Sequence, residues 1–558
     1  MNRRDPLAGI SLAATPQSQP IPGRAADMVR NSAGGWVFAQ DTWSRVEDFL
    51  ILGTAGGTYY MGEHELTADN VNVLVDAITE DGPRVVQLLT EISTAQPPRA
   101  PKPNPALFAL AACYVIGDAG TKKAAKQALA KVARTTDHLA KFIGYYKSLT
   151  GGPGVRTGRS LRTALGSWFL AGTPDNVAFR ACKARQRKTP SGEALDLRDV
   201  LRIAHPIADS EQRKALFGWL AGNVSDDEAR DELPAVDRFL TAKAVTTVPQ
   251  AIRVITEAKV PWEFLPDAML KEPAVWDALV DTIGMTALIR NLARMTSLET
   301  LSPFSDATYR AVARLTDREA ILRARIHPMD AWLALRVYGS GQAQPNPSAP
   351  VRTWNPVAPV LDALEETYSL AFGNVKPSGA RLLIAVDSSS SMRGGYYGAP
   401  YRVQVGGSPI GTPYEVACAM AAMVVRIEKT NAHVIEVDTR VHRSAITART
   451  NMREISSWRP VGGGTDLSLP FQWALQERME VDGVLVLTDS ETWAGSHDHP
   501  AQALNSYRRG VNPAARAVVA SLAATGRTIG DPKDPGVLQM AGVDASLPMV
   551  VGGFLRKE

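Results

Sequence analysis

Residues 381–392, Arg381-Leu-Leu-Ile-Ala-Val386-Asp387-Ser-Ser-Ser-Ser391-Met392, decide the fold of the C-terminal part of this chain. Five consecutive apolar residues ending on an acid and four serines read as a strand buried on both faces, followed by a loop crowded with oxygen donors. The segments beyond it alternate in type: a helix over 415–428, a strand over 433–437, a helix over 469–479 and a strand over 484–487. Strands alternating with helices predict a doubly wound, Rossmann-like α/β domain, whose ligands sit beyond the carboxyl ends of its strands. The loops after Val386 and Leu487 are therefore the places to look.

Taken alone, Asp387-x-Ser389-x-Ser391 also fits a serine-rich turn capping the next helix. Two further elements follow in order, Gly462-Gly-Gly-Thr465-Asp466 and Thr488-Asp489. Together they offer carboxylates from Asp387 and Asp489 and hydroxyls from Ser389, Ser391 and Thr465, an all-oxygen set suited to a hard cation such as Mg2+. A Gly- and Tyr-rich insertion, residues 393–413, comes directly after the serines and reads either as a cover for the metal face or as a loose loop.

Upstream the pattern changes. Residues 339–359, rich in Gly, Ser, Gln and Pro, read as linker-like, and from about 41 to 338 successive helical segments carry apolar residues at spacings of three and four. Many helices in series without a β-rich block suggest stacked helix pairs, although no strict internal period appears. The segment 121–134 puts Ala125, Leu129 and Val132 on one face and Lys122, Lys123, Lys126 and Arg134 opposite. The next, about 159–170, buries Leu161, Leu165 and Trp168 and follows Arg156 with Arg159 and Arg162. A third places Arg180, Lys183 and Arg187 on one face, with Lys188 after them. Any one such face also fits a solvated helix surface; three in succession are expected to form one basic surface.

Charge supports that expectation. The net charge of the 558 residues is only +4, but residues 121–205 hold 17 Lys and Arg against 5 Asp and Glu. So local a positive field suits a nucleic-acid partner, while membranes and acidic proteins also answer to it. With 45% apolar and 21% charged residues, and no apolar run near the ~18 residues of a membrane span, the chain reads as soluble. Its first residues lack a secretory apolar core and read as a loose polar tail, which points to the cytoplasm. Cys113, Cys182 and Cys418 lie too far apart to form a zinc half-site.

The three C-terminal loops resemble the metal-ion-dependent adhesion site of von Willebrand factor A domains. That resemblance gives Asp387, Ser389, Ser391, Thr465 and Asp489 the metal roles, with an acidic protein ligand completing the coordination. The helical part resembles the TROVE module of Ro autoantigens through Phe49-Leu-Ile-Leu-Gly-Thr-Ala-Gly-Gly-Thr-Tyr-Tyr60, Pro105-Ala-Leu-Phe-Ala-Leu-Ala111, Arg198-Asp-Val-Leu-Arg-Ile-Ala-His-Pro206 and Asn374-Val-Lys-Pro-Ser-Gly-Ala-Arg-Leu-Leu-Ile-Ala-Val-Asp387. Thr488-Asp-Ser-Glu-Thr-Trp-Ala-Gly495 and Thr528-Ile-Gly-Asp-Pro532 are similar to Ro as well. The resemblance divides the chain into a flexible tail (1–22), a TROVE module of HEAT-like helical repeats (23–372) and a von Willebrand factor A domain (373–558).

It implies a helical ring closed by the α/β domain. Single-stranded ends of misfolded RNA would thread the basic hole, and small structured Y-type RNA would bind the outer face. A 3′-to-5′ exoribonuclease such as polynucleotide phosphorylase would be a partner in RNA quality control and stress survival, in a ribonucleoprotein of the bacterial Ro type. In the family, a basic K-x-x-x-R run and a downstream His make the outer contacts. Lys183, Arg187 and His205 fill those positions, and Arg180, Lys122, Lys126 and Arg159 extend the basic surface. Taken alone, His205 fits a histidine satisfied at a helix end.

Adhesion-type coordination is binding chemistry and needs no nucleophile, so a non-catalytic protein is expected. Three rival readings stand beside it. A Mg2+-dependent phosphoryl-transfer enzyme of the haloacid-dehalogenase type needs an Asp where Ser389 stands, and a chelatase-like role needs an ATPase, whose G-x-x-x-x-G-K-[ST] loop does not occur in the chain. A protein-only adhesion scaffold leaves the basic window without a purpose. His497-Asp498-His499 lies in a Gly-containing loop without a third ligand and is given no role.

Overall fold

The computed structural model describes residues 14–31, 33–39, 41–52, 63–95, 103–150, 158–185, 197–344, 350–394, 403–405, 408–490, 492–495, 498–522, 527–541, 551–552 and 554–555. Eight helices open the helical part: α1 (Thr42–Leu52), α2 (Glu63–Thr94), α3 (Asn104–Ile116), α4 (Ala119–Val132), α5 (Thr136–Leu149), α6 (Arg159–Leu170), α7 (Pro174–Arg185) and α8 (Leu197–Ala204). Local chemistry sets their ends. Asp118 caps α4 by accepting from the Thr121 N–H, and Thr135 caps α5 by accepting from the His138 N–H. Within α2 the backbone breaks at Asp81, two residues before Pro83, which has no N–H to continue the ladder; Asp81 Oδ1 accepts from the Arg84 N–H and restarts the helix.

The apolar stripe anticipated for α6 is buried as Leu161, Ala164, Leu165, Trp168 and Phe169. Trp168 is fully buried, and its indole N–H donates to the Ala133 carbonyl at 2.5 Å, tying α6 to the end of α4. The helices stack in two rows: α2, α4, α6 and α8 pack in succession, while α1, α3, α5 and α7 form a second row. Stacked pairs of this kind share one continuous core, since no single pair can bury its own apolar face. Further helices, from Glu211–Ala221 to Pro328–Gly339 and Ala358–Ala371, continue the series.

Two sequence expectations need correction. The linker-like stretch 339–359 is not a loose connection where it is described. Strands β3 (Gln342–Ala343) and β4 (Arg352–Thr353) pair as a hairpin, the Trp354 ring stacks on Tyr338 at 6.5 Å between centroids, and its indole N–H donates to the Tyr338 carbonyl at 2.8 Å. Two aromatic residues bury against each other and outweigh the polar composition between them. The described part of the tail, residues 14–22, is not loose either. Gln17 and Ile21 are fully buried, and strands β1 (Met28–Arg30) and β2 (Trp36–Ala39) form a small sheet with β12 (Arg527–Thr528). Residues 14–39 thus belong to the sheet domain in space, although the sequence division assigned 23–39 to the helical module.

The sheet domain is built on β5 (Leu382–Asp387), β8 (Ala432–Val437), β9 (Val441–Arg443), β10 (Gly483–Thr488), β11 (Arg516–Ser521) and β13 (Val537–Ala541), in spatial order β13-β11-β10-β5-β8-β9. All pairs are parallel except the edge pair β8 and β9. Alternation sorts the strands onto two faces. Leu382, Ile384 and Val386 join one core with the helix Pro413–Glu428, and Leu383 and Ala385 join another with Phe471, Leu504 and Tyr507. From β5 the winding runs one way to β8, and from β10 the other way to β11 and β13, so the switch point lies between β5 and β10.

Both ends of the helical series dock on this domain. Helix α1 packs on β13. At the other end, Arg336 of Pro328–Gly339 donates to the Ile410 carbonyl at 2.6 Å and pairs with Glu415 at 3.1 Å, while Arg453 pairs with Asp362 and Glu365 at 2.7 and 2.9 Å. The described part of the insertion, strands β6 (Val403–Val405) and β7 (Ser408–Gly411), forms a hairpin whose β7 packs on the same helix, Pro328–Gly339. The chain is thereby a closed circuit of helices joined through the α/β domain. Among the described residues no helix is long and apolar enough to cross a membrane.

Candidate metal crevice and nucleic-acid faces

Asp387 ends β5 at the switch point, Thr488 ends the adjacent strand β10, and Asp489 comes directly after it. Asp387 is fully buried; its Oδ1 accepts from the Ser389 N–H at 2.9 Å and its Oδ2 from the Thr488 hydroxyl at 2.7 Å. The Ser389 and Ser391 hydroxyls lie 3.1 Å apart. The glycine loop closes over these serines: Gly462 N–H donates to the Ser388 carbonyl at 2.9 Å, Gly463 N–H to the Ser390 hydroxyl at 2.9 Å, and Ser390 N–H to the Gly463 carbonyl at 3.2 Å. Thr465 is buried, and its carbonyl accepts from the Trp493 and Ala494 N–H groups, both at 2.9 Å. The three loops anticipated from the sequence thus meet at one end of the sheet.

The three glycines have separate reasons. Gly462 and Gly463 adopt φ of +94° and +107°, which side chains rarely tolerate, and a Cβ on Gly464 would stand 2.9 Å from the Trp493 ring. Ser490, directly after Asp489, holds φ of +66°, a left-handed strain kept at the loop tip.

Electrostatics fit a cation here. Burial first, and the neighbouring Asp489 carboxylate second, push the Asp387 carboxyl up to about 7. Among the described residues no Lys, Arg or His side chain bonds Asp387. Two carboxylates that repel one another, with the Ser389 and Ser391 hydroxyls and the Thr465 loop at the same end of the sheet, are an oxygen-only arrangement suited to a divalent ion, which would relieve the repulsion. Among the described residues no group of three or more His, Cys, Asp or Glu side chains is placed to hold a metal.

Sequence reasoning missed Thr488, Gln17 and Thr492 as members of the crevice. Thr488 was legible, since it stands directly before Asp489. Thr492 lay inside the run 488–495 but carried no chemical signal of its own, and Gln17 is brought in from 449 and 475 positions away. His499 is structural: it caps the helix Pro500–Gly510, and its Nε2 lies 2.7 Å from the Gln19 carbonyl.

The basic residues are divided between the two rows of helices. Lys122 and Lys126, half-exposed on α4, and Arg159, exposed at the start of α6, lie on neighbouring helices of one row. Arg180 and Lys183 lie on α7 in the other row. Helices consecutive in sequence alternate between rows, so the three basic segments are carried by helices of both rows.

The Arg180 guanidinium stands 6.0 Å from the Trp168 ring centroid. Lys183 is half-buried, with Nζ 2.9 Å from Glu263 Oε1 and 4.8 Å from the Phe179 ring. His205 is exposed just after α8 with φ of +45°, and its backbone N–H donates to the Leu201 carbonyl at 2.9 Å, which makes it a helix-ending residue. Arg187, like Arg156, lies outside the described residues, as do residues 53–60 of the first TROVE-like run.

Comparison with known proteins agrees with this architecture. A family model described as the TROVE domain matches residues 29–238 and 253–348, and one described as the Ro60 vWA domain matches residues 381–555. A curated protein of Deinococcus radiodurans named RNA-binding protein RO60 is 34% identical over 99% of both chains, and one of the same name from Caenorhabditis elegans is 28% identical over 94% of this chain and 90% of its own. The crystal structure of the Deinococcus radiodurans RO (RSR) protein aligns with a TM-score of 0.69 at 33% identity, covering 92% of this chain and 99% of that one. With a TROVE domain, a Ro-type von Willebrand factor A domain and a bacterial relative matched from end to end, this chain belongs to the Ro family.

Proposed function

We propose that this chain is an RNA-binding protein that holds structured RNA and single-stranded RNA at different places on its helical circuit. The observation that carries the reading is the division of the basic window between two rows. Lys122, Lys126 and Arg159 sit in one, and Arg180 and Lys183 sit in the other, with Arg187 next along the chain. In this reading Lys183, Arg187 and His205 contact small structured noncoding RNA of the Y type, and the α4 and α6 cations meet the single-stranded ends of misfolded RNA in the hole of the ring. Lys and Arg would act on phosphates, fixing the RNA without reading its bases. The names of the relatives, both RNA-binding proteins, support the same class of ligand.

Lys183 adds a condition of its own. A phosphate arriving at Nζ competes with Glu263, so the ion pair holds the cation in place and must open or share for RNA to bind. Asp387, Ser389, Ser391, Thr465 and Asp489 would hold a divalent cation such as Mg2+, whose open coordination position accepts a carboxylate from a protein partner. The role that follows is a cytoplasmic ribonucleoprotein acting in RNA quality control and stress survival beside a 3′-to-5′ exoribonuclease, without catalysis of its own. The test is the salt dependence of RNA affinity. Contacts to several phosphates predict that log affinity falls linearly and steeply with log salt; a flat response contradicts the reading.

A further inference from the structure

The amino-terminal arm, residues 14–39, enters the crevice from a part of the chain that contributes none of its five candidate ligands. Gln17 is fully buried and both ends of its side-chain amide are used. Its Nε2 donates to Asp466 Oδ1 at 3.3 Å, next in sequence to Thr465, and its Oε1 accepts from the Thr492 hydroxyl at 2.6 Å, in the loop that follows Asp489. Its backbone is held as firmly: Gln17 N–H donates to the Gly495 carbonyl at 2.9 Å, and its carbonyl accepts from the Trp36 N–H at 2.7 Å.

Thr492 is the common point. Its Oγ1 also lies 3.1 Å from the Thr465 carbonyl and accepts from the Leu467 N–H at 3.2 Å, while its own carbonyl accepts from Asn31 Nδ2 at 2.6 Å. A Cβ on Gly35 would fall 2.1 Å from that carbonyl, so the arm lies directly against the loop. One buried amide thus ties the loop bearing Thr465 to the loop after Asp489, and both loops to the arm. The arm is itself anchored to the sheet domain by the buried Arg24 guanidinium on Asp531 at 2.5 and 2.7 Å, and by β1 and β2 pairing with β12.

We propose that the docked arm is a working part of the metal crevice, with Gln17 and Thr492 as positioning residues that fix the second and third loops for the cation. This rests on the reading of the crevice as a divalent-cation site. Groups that orient metal ligands without touching the metal typically change affinity by ~10–100-fold when removed. The coupling is reciprocal: a cation that needs the arm docked must also hold the arm down. Because α1 begins at Thr42, three residues beyond β2, arm docking is continuous with the helix that closes the circuit on β13.

The test uses the full-length protein and Mg2+ alone. Calorimetry gives the Mg2+ affinity of the parent, Gln17→Ala, Thr492→Val and Thr492→Ser, with Asp387→Ala as the protein lacking a ligand. Hydrogen exchange of residues 14–39 is followed with and without Mg2+ in the parent and in Asp387→Ala, a readout that needs no change in the arm. The expected result is a ~10–100-fold loss in Gln17→Ala and Thr492→Val, recovery to within about threefold in Thr492→Ser, which keeps the hydroxyl, and slower exchange of the Gln17 and Trp36 amides on Mg2+ addition in the parent only. A parent that binds Mg2+ while Gln17→Ala binds it equally and the arm's exchange does not respond overturns the inference and leaves the cation site standing. A parent that binds no Mg2+ overturns the cation site itself, and the inference with it.

Discussion

The basic rows of the helical circuit and the crevice of the sheet domain use charge in opposite ways. On α4, α6 and α7 Lys122, Lys126, Arg159, Arg180 and Lys183 are half-exposed or exposed, and they are spread over helices whose cores are packed by other residues. In the crevice, Asp387 is fully buried, Asp489 and Thr465 nearly so, and hydrogen bonds between three loops set each position. The first arrangement suits a polyanion met at many points, where each contact adds modestly and salt weakens all of them. The second suits one small cation, where a single missing oxygen removes the site. The two are therefore expected to fail independently.

The largest effect lies in the crevice. Asp387→Ala should lower Mg2+ affinity at least ~100-fold, since Asp387 is one of two carboxylates in the set. RNA affinity should stay within about twofold in the same protein. Calorimetry and filter binding check the pair, and a parallel loss of RNA binding would break the separation drawn here.

A smaller effect separates the two rows. Lys183→Ala with Arg187→Ala should weaken structured-RNA binding about tenfold and lower its salt slope by about two, with at most a threefold change for single-stranded ends. Lys122→Ala with Lys126→Ala should reverse the preference. Equal losses for both RNAs in both proteins would merge the rows into one surface.

The smallest concerns stability. Burial pushes the His327 imidazole, whose Nδ1 accepts from the Met329 N–H at 3.1 Å, down to about 4 from an ordinary 6.5. A folded-state value below the unfolded one means that the stability held by the neutral ring is complete above pH 6.5 and is lost as pH falls toward 4. His327→Asn keeps a capping acceptor without the proton, so its unfolding free energy from urea titration should fall less than the parent's between pH 7 and pH 4.5, by roughly 2 kcal/mol. Identical pH profiles would contradict it.

Much of this was legible in the sequence, and the failures have physical causes. The strand ending at Asp387, the helix α6 and the three loop motifs were readable because local pattern and tertiary burial agree there, as in the fully buried β5 and β10. Strands β11 and β13 were not singled out, since the apolar run of β11 is short, residues 517–520, Gln539 interrupts that of β13, and no motif marks either. The docked arm was misread because its polar residues, Gln17 and Asn31, are buried by hydrogen bonds to partners more than 440 positions away, and composition reports only that they are polar. The split of the basic helices between rows was missed because helical periodicity fixes a face within one helix and says nothing of which layer that helix joins.

The most direct test of the central claim is a map of RNA crosslinks on the full-length protein, made once with a small structured RNA and once with a duplex bearing a single-stranded 3′ end. The account predicts structured-RNA crosslinks on α7 and around His205, single-stranded crosslinks on α4 and α6, and neither at the crevice of Asp387 and Asp489. The same crosslink pattern for both RNAs, or crosslinks concentrated on the crevice loops, would contradict it.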